Sequence, residues 1–322
     1  MRLLILSSAA LLLCSAACAS GGSKPPANAA KPAPKPRPPR RIGVGPGQRP
    51  GQAELESAIK AAKGGDLDLA IKRSNDAIEK NPNLEHAYLL LGSSCAMKQD
   101  LDCERAAYER GLEALPRSAA LKRELGLWYL QQGDIPKAVT NYEAAHELSG
   151  GKDAGTMADL AYAYVYAGRL DEAETLAARA VKLDGKCFTC AMSLGQARLT
   201  KRDFAGAVEA YESARTLEPK SSDAQHSLAK AYFLAGKHDE AARLYEDLIR
   251  ARPDDYRLRV QTAQVAMARK RYREAVEHLQ VVAEANPKQK PLLELLLQAQ
   301  TKAKDRKGAA ATKKKLRRLG GK

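Results

Sequence analysis

The apolar run that opens this 322-residue chain, Leu3 to Leu13, is shorter than the roughly 18 residues a bilayer-spanning helix requires. Catalytic signatures are missing as well. There is no HExxH, no P-loop, no GxSxG and no Rossmann glycine pattern. The five histidines (His86, His146, His226, His238 and His278) are scattered with no metal-ligand spacing. These absences exclude the common metalloprotease, nucleotide-hydrolase, serine-hydrolase and dinucleotide chemistries. The expectation is a protein that is not an enzyme, with no catalytic residue, no cofactor and no metal ligand. Acidic residues are absent from 19–50, which instead holds nine prolines and seven basic residues. That composition shows neither helical nor strand periodicity and predicts a disordered, basic tether. Fully extended at about 3.1 Å per residue, it would reach on the order of 100 Å.

What is present at the ends accounts for the charge. The net +15 resembles a nucleic-acid signature only until it is located. Residues 51–289 carry 34 basic and 36 acidic side chains, whereas 290–322 carry eleven basic and two acidic. No basic stripe follows the body of the chain, so nucleic acid is not expected as a partner. The run Lys313 to Leu319 reads as a solvated capping helix, with attraction to anionic lipid or wall polymer as the alternative. At the other end, Arg2 and the apolar run read as a secretory signal over residues 1–18. It ends in Ser15-Ala16-Ala17-Cys18, which resembles a bacterial lipobox. The resemblance implies lipidation of Cys18, with Ala19 resembling the signal for outer-membrane sorting. Ser15 departs from the leucine usual three residues before the cysteine, and ordinary cleavage after Ala17-Cys18-Ala19 would leave a soluble periplasmic protein.

Between the ends, small residues recur every 34 residues. Ala70, Ala138, Ala173, Ala207, Ala241 and Ala275 hold one phase, with Glu104 the exception. Ala58, Gly92, Gly126, Ala161, Gly195, Ala229 and Ala263 hold a second, and Pro82, Pro116, Pro219, Pro253 and Pro287 a third. One extra residue is inserted near Gly150 to Asp153. A period of this length marks stacked helix pairs. From Phe188 to Ser221, for example, Ala191, Leu194 and Ala197 form a helical stripe, and Ala207, Tyr211 and Ala214 form the next. The small residues are required where two helix backbones cross closely. Proline closes a unit because it cannot continue the second helix.

These residues resemble the tetratricopeptide repeat, whose first helix (A) carries Leu-Gly-x-x-Tyr and whose second (B) carries Ala and Tyr before a proline. The pattern appears in Leu125-Gly126-Leu127-Trp128-Tyr129, Leu160-Ala161-Tyr162-Ala163-Tyr164 and Leu228-Ala229-Lys230-Ala231-Tyr232. It continues in Ala138-Val139-Thr140-Asn141-Tyr142 and Ala207-Val208-Glu209-Ala210-Tyr211. The resemblance implies an all-α fold, a right-handed α-solenoid of about seven helix-turn-helix units with a C-terminal capping helix. The units fall at 51–84, 85–118, 119–153, 154–187, 188–221, 222–255 and 256–289, with a partial eighth repeat and basic tail over 290–322. Trp128 stands where a small residue is usual and is expected to pack between repeats, into space left by Cys95.

Beyond Cys18, four cysteines remain in the expected repeats. A disulfide tolerates Cα separations only to about 7 Å, so pairs two or more repeats apart cannot meet. The expected pairs are Cys95–Cys103, flanking one turn, and Cys187–Cys190, at a unit boundary, if any form. Structural staples or free thiols are favoured over redox chemistry, since no thioredoxin-like pattern surrounds the second pair.

Nine of the twelve tyrosines occupy core phases of the repeat; Tyr162, Tyr166 and Tyr256 do not. In the family, helix A lines a concave groove. The matching positions here include Arg123, Leu127, Tyr162, Tyr166, Gln196, His226, Lys230 and Gln264, together with Met192 and Phe233. Tyrosine and arginine are typical interface anchors, so the expected partner is a protein or peptide segment held in that groove. Leu89, Ser93, Met192 and Gln196 stand where chaperone-binding members carry Lys and Asn, so chaperone tails are not expected. The combined expectation is a non-enzymatic scaffold, lipid-anchored to the outer membrane and facing the periplasm, similar in layout to the repeat lipoproteins of pilus and secretin assembly. The alternatives are a wall- or glycan-binding protein that uses its basic termini, and a soluble periplasmic adaptor.

Overall fold

The computed structural model describes residues 50–320. The expected signal, Cys18 and all but the last residue of the expected tether lie outside the described residues. The chain divides into two compact bodies, and the described part of each is helical. Residues 50–201 form α1 (Gln52–Lys63), α2 (Leu67–Lys80), α3 (Glu85–Met97), α4 (Leu101–Ala114), α5 (Ala119–Gln132), α6 (Ile135–Leu148), α7 (Ala154–Tyr166), α8 (Leu170–Leu183) and α9 (Phe188–Thr200). Residues 202–320 form α10 (Phe204–Leu217), α11 (Ser222–Leu234), α12 (His238–Ala251), α13 (Tyr256–Ala268), α14 (Tyr272–Ala285), α15 (Lys290–Lys302) and α16 (Arg306–Gly320). Odd-numbered helices correspond to helix A of the repeat and even-numbered ones to helix B. In the first body each helix packs on its successor, and α3, α5, α7 and α9 also pack on one another in turn, so the A helices form a layer.

Local chemistry sets each boundary. The second residue before helix B adopts the left-handed conformation at a repeating position: Gly65, Gly133, Gly168 and Gly236, but also Gln99, Arg202, Lys270 and Lys304. Glycine bears this geometry without steric cost, whereas the other four must tolerate it. The next residue often caps the helix. The carboxylates of Asp66, Asp100, Asp134 and Asp203 accept hydrogen bonds from the backbone N–H groups of Leu69, Cys103, Lys137 and Gly206. Ser118, Asp153, Ser221 and Asp255 do the same for A helices. Within each body four residues link helix B to the next helix A, except between Leu148 and Ala154, where five do. That link contains Gly150 and Gly151, with φ of 65° and 66°, and it absorbs the extra residue.

The small-residue columns lie where helices cross. A methyl group on Gly92 would come within 2.3 Å of the Tyr108 ring, and one on Gly126 within 3.1 Å of the Tyr142 ring. Ala70, Ala138, Ala173, Ala207, Ala241 and Ala275 are completely buried. Late in helix B, Gly111, Ala145, Ala180 and Ala214 keep the column small, but Leu248 and Val282 enlarge it. Val282 shares an apolar cluster with Ala266, which stands where other A helices carry Tyr164 or Tyr232. A larger side chain on one helix is thus met by a smaller one on its neighbour. The last pair, α15 and α16, is complete where the sequence suggests the start of a unit: Leu316 packs on the cluster of Leu292, Leu293 and Leu296, and Thr312 donates a buried hydrogen bond to Gln300 Oε1 at 2.8 Å.

Trp128 is buried between units, its Nε1 donating to the Leu101 carbonyl at 3.2 Å while Arg105 lies 5.5 Å from the ring centre. Disulfides join Cys95 of α3 to Cys103 of α4, and Cys187 to Cys190 at the start of α9, with Cα separations of 5.7 and 5.2 Å.

Glu104 is the outlier of the alanine column. It is only 7 % exposed, and burial, with Glu124 nearby, pushes its carboxyl up from 4.5 to about 7. A folded-state value above the unfolded one means that the folded chain holds this proton over the interval between them. Stability from this group is therefore complete below pH 4.5 and is lost as pH rises through about 7. Glu104→Ala should raise stability at pH 8 by roughly 2 kcal/mol and flatten the decline between those pH values, measured by urea unfolding. An unchanged pH profile would show that Glu104 is not the group responsible.

Candidate functional site

The expected groove residues divide between the two bodies. In residues 50–201, Arg123 and Leu127 lie on α5, Tyr162 and Tyr166 on α7, and Gln196 on α9. Arg123 is not presented to a partner. Its side chain is largely buried, its Nε donates to Asp159 Oδ2 at 2.6 Å, and its Nη1 lies 3.8 Å from Asp153. Burial opposes its charge, but Asp159 and Asp153 outweigh that and hold the guanidinium above its ordinary value. The backbone of Gly155 makes room: a methyl group there would sit 3.0 Å from the guanidinium. Arg123 is thus a bridge between α5 and α7. The two aspartates that define this bridge are not evident from the repeat pattern; only their positions 30 and 36 residues on, close to one period, hint at them.

Asp159, Tyr162 and Tyr166 follow one face of α7 at helical spacing. The two phenol oxygens are 2.9 Å apart and the rings meet edge to face at 5.1 Å. Tyr162 is half-buried, whereas Tyr166 is 51 % exposed. The contrast with Tyr164 on the same helix is sharp. Tyr164 is buried, its hydroxyl donates to Glu143 at 2.8 Å, and Arg169 stacks over its ring at 3.9 Å while also bonding Glu143. Burial first and Glu143 second push the Tyr164 phenol up to about 12. Tyr232, Glu212 and Lys237 repeat the arrangement in the other body. The core tyrosines therefore tie units together, and the Tyr162–Tyr166 pair faces outward. Leu127 and Gln196 are half-buried, and Gln196 Nε2 bonds Thr200 Oγ1 at 3.2 Å.

In residues 202–320, His226 and Lys230 lie on α11 and Gln264 on α13. His226 Nε2 is 2.9 Å from Gln261 Oε1, and its ring meets Tyr245 edge to face at 6.0 Å. Burial lowers its basicity, outweighing the opposing hydrogen bond to Gln261. Like Arg123, His226 joins one A helix to the next. Lys230 is exposed and Gln264 half-buried. Tyr256 is exposed at the first turn of α13. Among the described residues no group of three or more His, Cys, Asp or Glu side chains is arranged to hold a metal ion, and no helix is long and apolar enough to cross a membrane.

Helix pairs at a 34-residue period, with small residues at the crossings and tyrosines bridging successive units, define an all-α helical-repeat solenoid of the protein-interaction class. Tetratricopeptide repeat profiles match residues 55–119, 117–186, 158–224, 198–264 and 232–300, nearly the whole of the described chain. The protein belongs to the tetratricopeptide repeat family. No enzymatic family is among those matched. Among solved structures, it is similar to the APC/C hetero-tetramer Cut9–Hcn1 (TM-score 0.65, 17 % identity), covering 76 % of this chain and 48 % of that one. It spans about half the length of that relative. It is also similar to PilF of Pseudomonas aeruginosa (TM-score 0.55, 14 % identity, 64 % of this chain and 93 % of that one). PilW, described as a widely conserved type IV pilus biogenesis factor, gives 0.56 and 15 %, over 64 % and 94 %. At these identities the likeness is one of fold. No curated protein matches the sequence.

The Arg123–Asp159 bridge should matter to stability. Asp159→Asn leaves a mostly buried guanidinium short of its counter-charge and should cost about 2 kcal/mol in urea unfolding. A cost below about 0.5 kcal/mol would place the pair among ordinary surface contacts.

Proposed function

We propose that the protein is a non-enzymatic scaffold that holds an extended segment of a partner protein against its A helices, with Tyr162 and Tyr166 as the anchor. The observation that carries this reading is the Tyr162–Tyr166 pair on α7, half-buried at Tyr162 and 51 % exposed at Tyr166, with the two phenol oxygens 2.9 Å apart. Two phenol rings offer large amphipathic contact area with little side-chain entropy to lose, which is why tyrosine dominates interface hot spots. The scaffold is exported, anchored by lipid at Cys18 and held off the outer membrane by the proline-rich segment, facing the periplasm. There it assists assembly of an envelope complex of the pilus or secretin type. This placement is supported by the lipobox-like sequence together with the fold likeness to PilF and PilW.

Two measurements test the reading. In crosslinking pull-down from intact envelopes, Tyr162→Ala/Tyr166→Ala should reduce partner recovery at least tenfold, because hot-spot truncations cost about 2 kcal/mol or more each. Tyr166 is exposed, so Tyr166→Ala alone should move the melting temperature little and separates lost binding from lost stability; full recovery of the partner by the double variant would place binding elsewhere. Separately, Cys18→Ser should shift the protein from the membrane to the soluble fraction. Unchanged membrane association on high-salt washing would remove the lipid anchor from the reading.

A further inference from the structure

Seven cations on α16 have no counterpart in the repeat logic. At about 100° per residue, Arg306, Lys307, Lys313, Lys314, Arg317 and Arg318 fall within roughly 140° of arc on the side opposite Thr312 and Leu316, which pack inward. Lys315 lies just beyond that arc. All are exposed, and none forms an ion pair with a described residue. Elsewhere several cations are paired with carboxylates of neighbouring helices, as in Lys80–Glu54, Lys98–Asp68, Arg169–Glu143 and Lys201–Asp171. On α16 itself there is no acidic residue at all. Lys313, Lys314, Arg317 and Arg318 lie along about 8 Å of helix, one screening length at physiological salt, so their potentials add.

We infer that the outer face of α16 is a docking surface for an anionic phospholipid bilayer. The choice among polyanions follows from the face itself. Its cations spread across an arc rather than along a line, and a field of lipid phosphates can engage all of them at once, whereas a single polyanion strand tracks only a row. Between them stand only Ala310 and Ala311, whose small side chains let the charged groups reach one plane. No aromatic ring is present to stack on a base, and no amide is present to read one. The inward face is already used by Thr312 and Leu316, so the helix lies on the surface and does not enter it.

The test uses the full chain carrying Cys18→Ser, so that no acyl chain contributes, and vesicles of phosphatidylcholine with or without 30 % phosphatidylglycerol (about the anionic content at which such contacts matter). Binding is expected to the anionic vesicles alone and should be released at about 0.5 M salt. Lys313→Gln/Lys314→Gln/Arg317→Gln should weaken vesicle binding roughly a hundredfold. Helix content and melting temperature should be unchanged, since all three side chains are exposed. Deletion of α16 is unsuitable because it would bare Leu292, Leu293 and Leu296. Unaltered vesicle binding by the triple variant would overturn the assignment and move the contact to the basic residues before position 50. So would binding to heparin or duplex DNA at concentrations that leave anionic vesicles unbound, which would make the ligand a soluble polyanion. The outcome is independent of whether Tyr162 and Tyr166 capture a protein.

Discussion

The ring of Tyr108 rests on the bare Cα of Gly92, and that of Tyr142 on Gly126, so closely that even a methyl group would intrude. This close crossing of helix A and helix B is the contact on which the rest of the structure depends. Each pair brings its backbones together at a small residue and turns its larger apolar side chains outward along the stack. Those side chains find cover only on the next pair. The 34-residue period is therefore the sequence trace of a packing requirement. Its exceptions are local adjustments to the same requirement. Val282 is accommodated beside Ala266, and the extra residue is absorbed in the five-residue link around Gly150 and Gly151.

A second layer of order comes from charge. Several cations of the repeats link successive units: Arg123 bridges α5 to α7, Arg169 joins Glu143 to the ring of Tyr164, and Lys201 reaches Asp171 and Glu174. The exposed pairs among these contribute little individually, unlike the largely buried Arg123–Asp159 bridge. Among the features that remain exposed are Tyr166 on α7 and the basic face of α16. Glu104 is a different kind of residue, a carboxyl placed in an alanine position whose hold on its proton is strengthened by burial. It shows that the stack tolerates a polar misfit where a neutral form can be maintained.

A helical-repeat scaffold presents side chains on packed helices rather than on mobile loops. The ordered A helices present Tyr162 and Tyr166 without the entropy cost of a loop, and α16 holds its cations on a helix packed against α15. In the proposed reading, protein capture and attraction to an anionic surface occupy separate elements and can be altered separately.

The sequence by itself determined the helix pairs, their period, the position of the insertion and the placement of most tyrosines. Each of these depends on contacts between residues less than two repeats apart, where linear spacing and spatial spacing coincide. The same local rule brought Cys95 within reach of Cys103 and Cys187 of Cys190. What it did not determine was the fate of polar side chains at groove positions. Arg123 and His226 read as groove residues, yet Arg123 is committed to Asp159 and His226 to Gln261 on the next A helix. Nor did it reveal that Gln99 and Lys270 share the left-handed turn of Gly65 and Gly133, or that the basic run continues a full helix packed through Thr312 and Leu316. Those outcomes depend on which partner a side chain reaches across a helix interface. Only the tertiary structure decides that, because a repeat fixes the distance between helices while the identity of the facing residue varies from one unit to the next.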